Sequence, residues 1–281
     1  MQKFHDPIPG PRLSVSTWSV HRALGDPAPY GSDAAGIPAH THNNGALTLL
    51  DLPARIAQHG IRTLEICHFH LPSRDVAYLA QLRRAIEAAG VELWQVLIDA
   101  GDVTHPADGA RDAAWIAHWI DVAHALGAKR ARVIAGKQAP TRKNLAHSRD
   151  AILRLAEKAQ PLGIRLVTEN WFDLLNTPED VLWLLEQTQG QLGLCLDFGN
   201  WKGAQKYAGF EAIAPLAESC HAKPQFEADG SIEPADYTRC LDIMQAAGFA
   251  GPYTLIYDGP RADEFAGLEA EKRIVQPYCA P

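Results

Sequence analysis

Gly163-Ile164-Arg165-Leu166-Val167-Thr168-Glu169-Asn170-Trp171 reads as a helix-closing glycine, a short apolar run and a polar end. A glycine just past a helix takes the left-handed conformation that ends it and turns the chain into the next strand. The phrase recurs along the chain. Gly60 precedes Ile61-Arg62-Thr63-Leu64-Glu65-Ile66, Gly90 precedes Val91-Glu92-Leu93-Trp94-Gln95-Val96, and Gly127 precedes Ala128-Lys129-Arg130-Ala131-Arg132-Val133-Ile134. Counting all such runs gives eight strands, beginning near Leu13, Thr63, Glu92, Arg130, Arg165, Leu192, Ser219 and Tyr253. Helical patterns lie between them. Asp75 to Ala89 carries Val76, Leu79, Leu82 and Ile86 at helical spacing with Ser73 as N-cap. Asn176-Thr177-Pro178-Glu179-Asp180 opens another helix, with Thr177 as cap and Pro178 in the first turn.

Strict alternation of strand and helix means a parallel α/β fold. Eight units in 281 residues predict one closed (β/α)8 TIM barrel as a single domain over residues 1–281. No Gly-x-Gly-x-x-Gly follows the first strand, so an open dinucleotide-binding sheet lacks its main signature. The one long irregular stretch, Arg22 to Gly45, is expected to be a lid or an ordered excursion over the site.

Composition narrows the function class. A 47% hydrophobic and 21% charged chain is an ordinary globular one and excludes disorder. The net charge of −7 disfavours nucleic acid and anionic membrane as partners. Five widely spaced cysteines, with Cys67, Cys195 and Cys220 inside strand-like runs, read as reduced buried thiols. Met1 to Arg12 lacks the apolar core of a signal peptide, and no run reaches the ~20 apolar residues of a membrane span. A cytoplasmic enzyme is the expectation.

In a closed parallel barrel the active site lies at the C-terminal ends of the strands. Strand five ends Thr168-Glu169-Asn170-Trp171, strand six ends Asp197-Phe198-Gly199-Asn200-Trp201, and strand seven contains Ser219-Cys220-His221-Ala222-Lys223. A lone glutamate after a strand is as often a cap or an ion-pair partner as a ligand. Glu, Asp and His at the ends of three successive strands instead form an oxygen and nitrogen donor set suited to one Mn²⁺, Mg²⁺, Co²⁺ or Zn²⁺ ion.

These same segments resemble the strand-end motifs of the xylose-isomerase-like TIM barrels, the sugar and sugar-phosphate isomerases and epimerases among them, and the strand-two phrase Thr63-Leu64-Glu65-Ile66 fits as well. The resemblance implies Glu169, Asp197 and His221 as metal ligands and Lys223 as a site-facing residue. Asn200 stands where many members have a histidine. One departure is plain: Gly251-Pro252-Tyr253-Thr254-Leu255-Ile256-Tyr257-Asp258 puts Ile256 where members usually carry a glutamate that is both ligand and base. Asp258, two residues on and on the same strand face, is the candidate replacement ligand.

Weaker candidates surround this set. His68 and His70 share a strand face by period two and are candidates for proton transfer and substrate hydrogen bonding. Asp99 and Asp102 follow strand three, Lys137 follows strand four and Arg261 follows strand eight, each a substrate contact or else a solvated or turn charge. Trp171 and Trp201 offer apolar walls or pack under loops. His21 ends strand one, whereas His40 and His42 lie in the long loop.

The leading expectation is an isomerase or epimerase of a small sugar-like carbonyl compound, with Glu169 as ligand and base and Lys223 or His68 handling the proton on oxygen. A metal-dependent dehydratase needs only one base and is the alternative that Ile256 favours. A DNA repair endonuclease of this fold would need more strand-end histidines, and a non-catalytic binding barrel would keep the metal without turnover. A homodimer is compatible with all of these.

Overall fold

The computed structural model describes residues 10–38, 45–203, 205–227 and 229–279. Eight parallel strands close into a barrel in sequence order. They are β1 (Arg12–Ser16), β2 (Thr63–Cys67), β3 (Glu92–Ile98), β4 (Arg130–Val133), β5 (Arg165–Glu169), β6 (Leu192–Asp197), β7 (Ala217–Ala222) and β8 (Pro252–Leu255), with β1 pairing β8 to complete the ring. Around it run α1 (Leu52–Gln58), α2 (Val76–Ala88), α3 (Gly109–Leu126), α4 (Arg142–Ala159), α5 (Pro178–Gln187), α6 (Gln205–Ile213), α7 (Pro234–Ala246) and α8 (Glu264–Val275). This is the (β/α)8 barrel expected from the repeat.

The glycine punctuation acts as expected. Gly60, Gly90, Gly127 and Gly163 have φ of +75°, +62°, +79° and +70°, the left-handed conformation in which a Cβ is strained. Thr177 caps α5 by accepting from the Asp180 backbone N–H, with Pro178 at its first position. The expected Ser73 cap is corrected: the N-cap of α2 is Asp75, and Ser73 Oγ instead accepts from the Asp75 N–H in the turn before it.

Apolar residues of the helices' inner faces and the strands' outward faces form one core, including Ile66, Val96, Leu166, Leu194, Ile116, Ile120, Ile152 and Leu184. The barrel interior is unusually polar. Arg12 and Arg130 lie over the Trp94 ring, and Arg130 and Arg165 both pair with Glu218. Above this plug Glu65 is fully buried, and side chains two residues further along each strand reach the C-terminal mouth.

The described part of the long loop packs on its neighbours. Arg22 donates to the Gly259 and Arg261 carbonyls, Ser32 Oγ donates to Asp112 at 2.5 Å, and Tyr30 packs against His68, Trp115 and Trp119. His40 and His42 lie outside the described residues. Among the described residues no helix is long and apolar enough to cross a membrane.

Candidate active site

Strand parity decides which side chains reach the mouth. Arg132, Glu169, Asp197, His221 and Ile256 follow Arg130, Val167, Cys195, Ser219 and Thr254 by two, and all five line one cavity of about 360 Å³. Ser16, Cys67, Leu97, Asp99, Asn200 and Lys223 line it too.

Glu169, Asp197 and His221 come together at its floor. β6 and β7 place Asp197 and His221 directly opposite each other. His221 Nδ1 lies 3.4 Å from Glu169 Oε2 and 3.5 Å from Asp197 Oδ2. The remaining oxygens are occupied. Asp197 Oδ1 accepts from the Gly199 and Asn200 backbone N–H groups at 2.6 and 3.0 Å, and Glu169 Oε1 accepts from Asn200 Nδ2 at 2.6 Å. Gly199 suits this turn, because a Cβ there would stand 2.8 Å from Lys223 Cδ.

Beneath lies Glu65, which the sequence reading did not single out. Its Oε2 is 2.8 Å from His221 Nε2 and its Oε1 accepts from Thr254 Oγ1 at 2.8 Å. A carboxylate only accepts, so Nε2 carries a proton and Nδ1 is the nitrogen turned to Glu169 and Asp197. Burial disfavours the charged ring, yet Cys195, Glu65 and Glu169 around it carry the His221 pKa well above the ordinary histidine value.

Arg132, also unforeseen, is a buried guanidinium between two carboxylates. Its Nη2 donates to Asp99 Oδ1, and its Nε stands 3.3 Å from Glu169 Oε2 but too misaligned for a hydrogen bond. Burial raises the Glu169 pKa against the pull of Arg132 and His221, which leaves this carboxyl above the ordinary carboxylate value. A buried carboxylate with a raised pKa is a better base at neutral pH than a solvated one.

The donor set fits a divalent ion. Glu169 Oε2 is buried with no hydrogen-bond donor among the described residues, and His221 Nδ1 is oriented by a carboxylate on its other nitrogen, the arrangement that metal-binding histidines use. Glu169, Cys195 and His221 have donor atoms all within 4.8 Å of one another. Burial raises the Cys195 thiol pKa, and Cys195 does not line the cavity that Glu169, Asp197 and His221 share.

Several expected contacts are not brought to this cavity. His68 is buried with Nε2 at the Tyr30 carbonyl, 2.8 Å away, and Nδ1 accepting from the Asp99 N–H. Both nitrogens are spent, so it is corrected from a proton-transfer group to a loop anchor. His70 bonds Thr17 Oγ1 and His21 Nδ1, each at 2.8 Å, and does not line the cavity. The reason is local: β2 stops at Cys67 and residues 68–70 form a 3-10 turn, so period two no longer applies and Cys67 faces the cavity instead.

Asp258 is likewise corrected as a ligand. β8 ends at Leu255, and the Asp258 side chain, 45% exposed, pairs with Lys223 Nζ at 2.8 Å. Trp201 is core, its Nε1 donating to the Leu175 carbonyl and its ring stacked on Phe210. Arg261 donates to the Asp229 carbonyl, and Lys137 lines a neighbouring cavity. Asp102 accepts from Thr104, Lys137 N–H and Gln138, which makes it a loop clasp. Of the secondary set, Asp99, Asn200, Trp171 and Lys223 reach the cavity.

Glu65 had a signal in the sequence: a charge in the middle of an apolar strand that must point inward. Arg132 had one as well, since Arg130 and Arg132 at period two in a barrel strand face the interior.

The chain is thus a closed eight-strand barrel with two carboxylates and a histidine converging at the ends of three adjacent strands. The family model described as xylose isomerase-like TIM barrel matches residues 53–276, and the chain belongs to that family. No curated protein matches the chain in sequence. Similar solved structures include a xylose isomerase-like TIM barrel protein from Mycobacterium smegmatis in complex with magnesium, at 15% identity and a TM-score of 0.68, covering 95% of this chain and 96% of that one. L-ribulose 3-epimerase aligns at 19% identity and a TM-score of 0.69 over 95% of this chain and 94% of its own. The probable 3-DHS dehydratase of petrobactin synthesis from Bacillus anthracis aligns at 15% identity and a TM-score of 0.68 over 94% and 98%. At these identities the likeness concerns the fold.

Proposed function

We propose that this chain is a divalent-metal-dependent isomerase or epimerase of a small sugar or sugar-like carbonyl compound. The observation that carries the reading is the convergence of Glu169 Oε2 and Asp197 Oδ2 on His221 Nδ1, with family membership in support. Glu169, Asp197 and His221 would hold the ion. When bound, the ion supplies Lewis acidity to a substrate carbonyl, which acidifies the adjacent C–H.

Glu169 is the base for that proton. Its Oε2 is the oxygen turned to His221 and to the ion, so the proton is taken by Oε1, which Asn200 Nδ2 holds in place. Asp99 and Arg132 form the polar wall beside it. Ile256 offers no second carboxylate, so the second proton-transfer group is Lys223, which lines the same cavity. Burial works against its charge, but Asp258 and Asp197 hold the Lys223 ammonium above the ordinary lysine pKa. It is therefore an acid: it gives a proton to the carbonyl oxygen or to the opposite face of the carbon that Glu169 deprotonated. The same acid protonating a departing hydroxyl would give a dehydratase, and the loss of a carboxylate at Ile256 favours that second reading.

The test is incubation with ketoses and aldoses in deuterated buffer containing Mn²⁺. Epimerisation leaves deuterium at an inverted carbon, isomerisation moves the carbonyl, and dehydration loses water. Glu169→Gln should stop deuterium entry into every substrate that the parent exchanges. Exchange at the parent rate in that variant would overturn the assignment of the base.

A further inference from the structure

Four aromatic side chains line the cavity without a part in the proton transfers above. Trp18 follows β1, Phe69 follows β2, and Trp171 and Phe172 follow β5. In a closed eight-strand barrel β1 and β5 are diametrically opposite, so the two pairs are walls facing each other across the mouth. Trp18 and Phe69 meet edge to face at 6.2 Å, and Trp171 and Phe172 stack at 4.3 Å with their planes 28° apart. Trp18, Trp171 and Phe172 are only partly buried, unlike the core rings Trp119 and Phe210.

The backbone under one wall is strained. Phe172 has φ 56° and ψ 178°, a region that belongs almost entirely to glycine and that persists in proteins chiefly at ligand clamps and active sites. Glycine would make this turn without strain. The phenylalanine makes it with strain, and its ring is spent on lining the cavity and stacking with Trp171 rather than on the core.

Charge around the cavity points the same way. Two cations line it, and both are paired: Arg132 with Asp99 and Glu169, Lys223 with Asp258. Lys137 lines the neighbouring cavity, with its Nζ 5.0 Å from the Phe172 ring centroid. Each cation thus already faces a carboxylate, and Asp99, Glu169 and Asp197 outnumber the two, so a phosphate is disfavoured, while Arg132 Nη1, with no hydrogen-bond partner among the described residues, is left for a substrate hydroxyl. What the cavity offers besides is aromatic surface: Trp171 stacks on Phe172 and has the Arg132 guanidinium 5.2 Å from its ring, Trp18 stacks on His21, and the remaining surface of these rings lines the cavity. A pyranose or cyclohexane polyol has a face made only of C–H bonds, with its hydroxyls at the rim, and that face stacks on an aromatic ring. An open-chain polyol has no fixed face of this kind.

We infer that Trp171 and Phe172, facing Trp18 and Phe69, clamp the C–H face of a neutral, ring-closed carbohydrate or cyclic polyol, and that the strained Phe172 backbone sets the position of the clamp. This deepens the proposed function and rests on it only for the chemistry. A ring-closed substrate carries its carbonyl as a ring ketone, so the proton moves at a ring carbon by epimerisation or elimination, not by aldose–ketose exchange.

Binding tests the clamp separately from turnover. Methyl β-D-glucopyranoside, myo-inositol, D-glucitol and D-glucose 6-phosphate are titrated into the full chain, with tryptophan fluorescence and calorimetry as readouts, with Mn²⁺ and with chelator. The two ring probes should bind about tenfold tighter than glucitol, with no gain from the phosphate. Phe172→Gly and Trp171→Ala should each weaken ring binding by about tenfold. Phe172→Gly should also hold or raise the melting temperature, because it relieves the backbone. Equal or tighter binding of glucitol or the phosphate ester overturns the inference. So do parent affinity in Phe172→Gly and absence of binding by both ring probes. Ring preference that persists in chelator, in a protein that exchanges no substrate proton with Mn²⁺, would sink the proposed function and leave the clamp standing.

Discussion

Replacing Glu65 tests whether His221 is a ligand at all. The two carboxylate oxygens each take one donor, His221 Nε2 and Thr254 Oγ1, both at 2.8 Å. Glu65→Gln keeps the shape but has one acceptor oxygen and one NH₂. If the oxygen stays on His221 the tautomer survives, because the Thr254 hydroxyl can rotate to accept from the amide. The negative charge behind the ring is lost. Glu65→Leu removes both acceptors, so nothing holds the proton on Nε2 and the ring is free to turn Nδ1 away from Glu169 and Asp197.

Partners that orient a metal-binding histidine are worth about 10–100-fold in affinity. Glu65→Gln should therefore lose about tenfold in Mn²⁺ or Zn²⁺ affinity, or about 1.4 kcal/mol, and Glu65→Leu about 100-fold, or about 2.7 kcal/mol. The leucine variant also leaves a buried N–H and a buried hydroxyl without their acceptor, which destabilises the fold by about 1–3 kcal/mol for each orphaned group. Calorimetric metal titration, run well below the melting temperature of each variant and checked by circular dichroism, separates the two effects. Parent affinity in both variants, with the fold intact, would refute the role of His221 Nδ1 and the orienting role of Glu65 together.

Lys223→Met should lower turnover by about 10²–10⁴-fold, and turnover at the parent rate in that variant would show that Lys223 is not the acid. Asp258→Asn should leave metal affinity within about twofold, because this carboxylate is half exposed and faces Lys223, not the ion; a large loss would restore it as a ligand. Glu271 on α8 is fully buried, and burial pushes its pKa well above the ordinary carboxylate value against a lowering by the Ile256 N–H. The folded state thus holds this proton more tightly than the unfolded chain, so its contribution is full below the unfolded pKa and falls by up to about 1.4 kcal/mol per pH unit as pH rises toward the folded one. Urea unfolding of Glu271→Gln between pH 5 and 8 should show a flatter decline and higher stability at the alkaline end than the parent, and an unchanged slope would refute it.

The barrel was legible because its grammar is local. A glycine after each helix and a short apolar run after each glycine need no tertiary knowledge, and five of the eight strands begin at the residue the runs indicated, with β1, β7 and β8 starting one or two residues earlier. Glu169, Asp197 and His221 were legible for a related reason: they end strands, and a closed barrel brings all strand ends to one face. The misreadings share a different cause. His68, His70 and Asp258 were placed by extending the strand's period of two beyond the last strand residue, and the chain there had already turned. Periodicity holds only while the ladder holds.

What the sequence could not display is charge meeting charge across the barrel. Glu65, His221 and Thr254 are on β2, β7 and β8, far apart in the chain, and closure of the ring brings them together, while Arg132 reaches Glu169 between the neighbouring strands β4 and β5. These contacts change what Ile256 means. With a glutamate absent from β8, a divalent ion would meet two carboxylates and one histidine, and Arg132 already offsets part of the Glu169 charge. A site so depleted of negative charge should hold its ion less tightly than one with a third carboxylate. Ile256→Glu tests this from the other side. The new carboxylate, at a cavity-lining position beside Lys223, should raise metal affinity and add a base on the wall opposite Glu169. An affinity unchanged or lowered in a folded Ile256→Glu variant would mean that Ile256 does not stand where a ligand could, and the single-carboxylate chemistry argued from it would lose its ground.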